Sequence, residues 1–426
     1  MNVAFFQSRM CLVLIEQAAA TSWNFLLGTI IARWGGINLF GSFAIVTAVY
    51  FVLNAALSSM SISIVSVDSA RLSRSRRTYL FYGWKAAEHL AMIVVSFGAV
   101  VLVALSPMLS LEHKLLFPIL GITYMVLGVF SDIRRRVLAF GTHTYFLAAA
   151  SFLRTTTLIS VVFGLSFIDK AETRLAYLAL AVIGIASCFV FALGWRINEK
   201  PLRAYGLAKT TKSRQFRLGI WGFGSSVIMS GVDQGMMIYA GMLGMAAVAG
   251  QVRAGSYLFG LLNPVMLVFD LLIPGLIFKI IGRRITLSAV VPLVIAGAII
   301  SCCAAGILSG VNAQVWLPFL GEDYINLAPI SYWSGITFAC MTTRSFITPF
   351  LRTRAPKAIF YSSVAGTICG IIFVASSPNF DSMIVCKAAV CAAGIQLLGN
   401  SLALLMVCLR KPITVGSAHV GNQITM

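Results

Sequence analysis

Apolar runs long enough to cross a bilayer, roughly 17–25 residues each, recur along the whole 426-residue chain. No other feature constrains the fold so tightly. In hydrocarbon the backbone must satisfy its own hydrogen bonds, and a continuous apolar helix does so within one segment. Twelve such runs can be drawn, near residues 10–32, 39–65, 86–105, 115–130, 144–165 and 175–195, then 218–241, 255–278, 285–308, 328–350, 358–375 and 383–409. Composition agrees: 59% of residues are hydrophobic and 11% are charged.

The second half echoes the first. Asn24, Gly35, Gly41 and Leu53-Asn54 reappear 209 positions later as Asp233, Gly244, Gly250 and Leu262-Asn263. Six spans is an even number, so both copies enter the membrane from the same side. The repeat is therefore parallel, about an axis along the membrane normal. The expected fold is an all-α integral membrane protein of about twelve transmembrane helices, in two parallel six-helix lobes around a central cavity. The expected boundaries are an N-terminal lobe at 1–195, a basic cytoplasmic linker at 196–217, a C-terminal lobe at 218–409 and a tail at 410–426.

A net charge of +19 invites a nucleic-acid reading, and its distribution removes it. With the N-terminus inside the cell, 24 of the 32 Lys and Arg fall on the inner side and six outside, while Arg154 and Arg344 lie within spans. Arg134, Arg135 and Arg136 count as an inner loop here, and Arg253 as outer. That is the positive-inside bias at every second loop. It favours anionic lipid headgroups, sets both termini in the cytoplasm, and leaves no soluble domain to hold a nucleic acid. The nine cysteines are scattered through the spans without metal-ligand spacing to His. No metal, cofactor or catalytic group is assigned, and no Gly-x-x-x-x-Gly-Lys phosphate loop is present.

Intramembrane polar residues carry the remaining information. A charge at mid-depth costs about 2.5–3.5 kcal/mol on the insertion scale, so it faces protein or a water-filled cavity. Arg154 sits near the middle of its span with no acid four residues to either side. Two readings stay open: an ion pair with another helix, or a cavity wall that holds an anionic group. Arg344, Asn24, Asn54 and Asn263 complete the candidate substrate-binding set. Glu16, Asp233 and Gln234 are the candidates for cation coupling, because a carboxylate deep in a span resists ionisation until a cation or a conformational change relieves it. Asp233 stands where its repeat mate Asn24 cannot ionise.

The stretch Ala32-Arg-Trp-Gly-Gly-Ile-Asn-Leu-Phe-Gly41-Ser-Phe-Ala44 resembles the opening of the polysaccharide-type flippases. These belong to the multidrug/oligosaccharidyl-lipid/polysaccharide exporter superfamily. Gln215-Phe-Arg217, Leu243-Gly244 through Tyr257, and Trp316-Leu-Pro-Phe-Leu-Gly321-Glu-Asp-Tyr324 are similar to the same family's second half. The resemblance implies two lobes facing a cationic cavity, which Arg154 would fit. It implies a polyprenyl-pyrophosphate-linked oligosaccharide as substrate, moved by alternating access across the bacterial inner (plasma) membrane for surface polysaccharide assembly. A polysaccharide polymerase and a chain-length regulator are the implied partners, with membrane lipids. Two rivals remain: a cation-coupled drug or metabolite antiporter of the same superfamily, and a polymerase-type membrane enzyme. The enzyme reading is the weaker, since no large outer loop is present.

Overall fold

The computed structural model describes residues 3–57, 76–105, 116–140, 144–197, 234–262 and 287–409, with isolated positions at 224, 227, 228 and 230. The linker and tail expected from the sequence lie almost wholly outside them, as do Asp233 and Asn263. Every long element is a helix: α1 (Val3–Leu57), α2 (Arg76–Leu105), α3 (Leu116–Phe140), α4 (Thr144–Leu165) and α5 (Ala171–Ile197). Then come α6 (Ala246–Ser256), α7 (Leu287–Val311), α8 (Ala328–Arg354), α9 (Pro356–Ala375) and α10 (Ser382–Leu409).

Two spans are fused in α1. Gly36 breaks the helix with φ 69° and ψ −176°, a combination open to glycine and costly for any residue with a Cβ. The arm before Gly36 is the first span and the arm after it the second. The break marks one end of the bundle, and α4 points its C-terminus toward that end.

Helix α4 shows how these segments are oriented. Leu147, Ala148, Ser151, Arg154, Thr155 and Leu158 are buried, spaced as one face of a 3.6-residue helix. Phe152, Leu153, Ile159 and Phe163 are exposed. The buried face is thus the more polar one, as expected where lipid replaces water outside. Exposed Phe191 and Trp195 on α5, and Ile371 and Ile372 on α9, continue the apolar belt.

In the first lobe α4 packs between α1 and α5, and α3 packs on α2 and α5. In the second, α10 lies against α8 and α9, and α7 against α8. The lobes meet where α1 crosses α6. A Cβ on Gly41 would collide with the carbonyl of Ala246 and crowd Gly250; a Cβ on Gly250 would collide with the carbonyl of Ile37 and crowd Gly41. Since Ile37 and Ala246 are also 209 apart, each glycine presses on the repeat mate of the residue that presses on the other. A patch that contacts its own copy lies on a two-fold axis. The small side chains let the two backbones touch, as at small-xxx-small helix crossings.

The backbone corrects one detail of the repeat. The left-handed glycine matching Gly36 is Gly244, at φ 72°, an offset of 208 rather than 209. Gly244 pairs with Gly36 and not with Gly35. One extra residue enters the turn before α6, and the 209 register resumes by Ala246.

Candidate functional site

A cavity of about 1090 Å³ opens inside the first lobe, walled by both arms of α1 and by α3, α4 and α5. Its described lining belongs to this lobe alone. Trp23, Asn24, Trp34 and Asn38 come from around the Gly36 break, Tyr124, Asp132 and Arg135 from α3, Arg154 from α4, and Glu172 from the start of α5. Volumes of this order hold a drug-sized or larger ligand.

Arg154 is the sharpest feature of the wall. Its guanidinium lies 4.7 Å from the Trp23 ring centroid and 4.4 Å from that of Phe189. The residue is 8% exposed. Both rings are within cation–π distance, an attraction worth about 2 kcal/mol once water is excluded. Its Nε is buried without a hydrogen-bond partner. No ion pair reaches the side chain among the described residues. The side chain lines the cavity; the ion pair with another helix, the other reading left open by the sequence, is not seen among the described residues. A stacked, planar fork with free N–H edges is suited to a bidentate oxyanion.

Below it lies a network that the sequence did not reveal. Helix α3 runs ten residues past its apolar stretch, to Phe140, so Arg135 is a half-buried helix residue of the lobe and not a loop residue. Its Nε donates to Glu16 Oε1 at 2.5 Å and its Nη1 to Asp132 Oδ1 at 2.9 Å. Asn54 and Tyr50 donate to the other Asp132 oxygen, Tyr50 at 2.7 Å. Ser151, one turn before Arg154, reaches Glu16 at 3.4 Å. Glu16 is 1% exposed, and its Oε2 has no partner. The available signal was the i, i+3 spacing of Asp132 and Arg135, which places them on one helix face.

The remaining candidates scatter. Asn24 lines the cavity and accepts from Tyr124 at 3.4 Å. Asn54 is spent on Asp132. Arg344 lies in the second lobe, where it donates to Gln396 on α10. Gln234 is partly buried with an unpaired Oε1. Arg253 was counted as an outer-loop charge; it stands on α6 within the bundle, its guanidinium 5.5 Å from Phe51 and 5.6 Å from Tyr257.

The lobes are sealed together at the Gly36 end. Tyr257 donates to the carbonyls of Asn24 and Phe25 at 2.8 and 3.0 Å. Trp316 packs on Phe25 at 4.7 Å, and Arg33 caps Phe319 at 4.6 Å. Tyr324, in the turn Glu322–Leu327, donates to the Ala32 carbonyl at 3.4 Å. Burial, then the neighbouring Asp323 carboxylate, pushes the Tyr324 phenol up, so it keeps its proton and remains a donor.

No protein-family model matches this chain, and no curated protein does. Solved structures do. The chain is similar to the eukaryotic MATE transporter AtDTX14, at 12% identity over 94% of this chain and 95% of that one, with a TM-score of 0.69. It is similar to the lipid II flippase MurJ in an inward closed conformation, at 13% identity over 96% and 89%, with a TM-score of 0.64. It is also similar to an inward-facing multidrug resistance MATE family transporter of the MOP superfamily, at 12% identity over 91% and 95%, with a TM-score of 0.59. Likeness at such identities shows a shared fold, that of a multi-pass membrane transporter.

Proposed function

We propose that this protein is a flippase for a polyprenyl-pyrophosphate-linked oligosaccharide, acting in the bacterial plasma membrane during surface polysaccharide assembly. The observation that carries the reading is Arg154, a cation on the cavity wall packed against two rings and without an ion pair among the described residues. Such a group is costly in a membrane protein unless something anionic visits it. A pyrophosphate supplies that anion. The sugars would occupy the chamber beside Asn24 and Asn38, and the isoprenoid tail would stay in lipid. Rocking of the lobes about their contact at Gly41 and Gly250 would alternate access. The fold shared with transporters, MurJ among them, supports this over a membrane enzyme.

Cation coupling belongs to the same proposal. Glu16 is held by Arg135 and keeps a bare oxygen; Asp233 and Gln234 are the second-lobe candidates. Cytoplasmic termini, and a polymerase and chain-length regulator as partners, are proposed with it. Reporters fused after Arg77 or Lys411 are expected inside, and near Asp323 outside.

A cation-coupled drug antiporter has one observation in its favour, the acids Asp132 and Glu172 on the same wall. Vesicles separate the two. Purified protein should move a fluorescent polyprenyl-pyrophosphate disaccharide between leaflets faster than empty vesicles do, and Arg154→Ala should not. A lipid-flipping rate equal to that of empty vesicles, with proton-driven uptake of an organic cation, would replace our reading by the antiporter.

A further inference from the structure

We propose that Tyr257, seated in a notch at Gly28, is a latch between the lobes, and that a ligand filling the first-lobe cavity releases it. The inference rests on the cavity being the cargo chamber.

Three observations meet at one helical turn. The phenol of Tyr257 enters α1 where only a glycine admits it: a Cβ on Gly28 would overlap the hydroxyl and its ring carbon. There the hydroxyl is shared between the carbonyls of Asn24 and Phe25, while the ring lies 5.2 Å from Phe25 and 5.6 Å from Phe40. The other side of the same turn is cavity wall, formed by Trp23, Asn24 and Leu27, with Arg154 stacked on Trp23. Finally, the second-lobe helix changes from α to 3-10 geometry at Tyr257 itself, a change that in mid-helix often marks a hinge.

The notch has no slack, so a small shift of α1 expels the phenol. Packed interfaces respond in this two-state way. Release is also cheap on the α1 side. The carbonyls of Asn24 and Phe25 sit inside a helix and accept intrahelical bonds with or without the phenol. A ligand that fits the cavity only when this turn moves therefore binds the unlatched state more tightly, and by that difference shifts the lobes. Arg253, one turn before Tyr257 and stacked on its ring, moves with it.

The test places spin labels, carried on an unnatural amino acid, at exposed Lys170 and Glu322, one per lobe at the Gly36 end. The nine native cysteines stay in place. Unliganded protein should show a short-distance population. Tyr257→Phe should raise the long-distance population about fivefold, as expected for one lost hydrogen bond. Geranyl diphosphate should do the same to the native chain and add little to the variant. Tyr324→Phe, which loses only the longer bond to Ala32, should shift the distances less. Equal shifts from the two variants, or none from Tyr257→Phe, would overturn the latch. Calorimetry on the same samples keeps the two proposals apart. Geranyl diphosphate that binds without moving the labels sinks the release step and leaves the cargo reading standing. If it does not bind, the cargo reading and release by cargo both fall, and Tyr257→Phe alone decides whether a latch exists.

Discussion

The two lobes descend from one repeat and fill their interiors differently. Inside the first lobe stand Glu16, Asp132, Arg135 and Arg154, beside open space. Among the described residues of the second, several polar groups meet in neutral couples. Asn312, fully buried, donates to the Ala254 and Gly255 carbonyls and to Ser331 at 3.3, 3.0 and 2.9 Å, tying α6 to α7 and α8. Ser362 donates to Asn400 at 2.6 Å between α9 and α10, and Arg344 meets the neutral amide of Gln396. Buried ions are weak sources of stability compared with apolar packing, and the neutral couples carry a cost of their own, since Asn312 Oδ1 and Asn400 Nδ2 are buried without a hydrogen-bond partner.

The contrast can be broken, and the largest effect comes first. Arg135→Ala should cost about 3 kcal/mol, since it leaves Glu16 buried without its counter-ion; unfolding in detergent measures it. Asn400→Ala should cost less, about 1–3 kcal/mol, because the partner left behind, Ser362, is neutral. Equal losses would remove the contrast between the ionic and the neutral pairs.

Next comes Arg154→Ala. It should lower transport about a hundredfold, the loss of roughly 2.7 kcal/mol expected for a charge-assisted contact of a bound oxyanion, with folded protein near normal. Arg154→Lys should keep part of the activity, since an ammonium still pairs with the rings but lacks the planar fork. Disappearance of both variants from the membrane would make Arg154 structural.

A smaller effect is expected at Asn312→Ala, about 1–2 kcal/mol of stability for the side-chain hydrogen bonds it loses, with geranyl diphosphate binding unchanged. Smallest is Ser362→Ala, about 1 kcal/mol, again without effect on binding. A fall in affinity from either substitution would show that the second lobe shapes the site directly.

Much of this architecture could be read from the chain. The run at 144–165 matches α4 at both ends, because apolar residues begin and stop there abruptly. Pro356 opens α9, and 383–409 falls within α10. What hydropathy missed, it missed for one reason. An apolar window ends where charges begin, but a helix continues when its charges find partners. Arg135 and Arg253 were therefore assigned to loops although both stand on helices inside the bundle. The Tyr257 notch was equally hidden, since Gly28 and Tyr257 are unremarkable until 229 residues of chain bring them together. Arg154 was legible because its isolation is local.

The contact between Gly41 and Gly250 has a consequence for descent. A ridge that presses on its own copy is the interface of a homodimer. In a chain of half this length a single glycine would serve both sides, and any change there would be felt twice. Once two copies are joined, each may vary alone. The extra residue beside Gly244 and the Glu16–Arg135–Asp132 network of the first lobe are variations of that kind, and the glycines still meet at the axis.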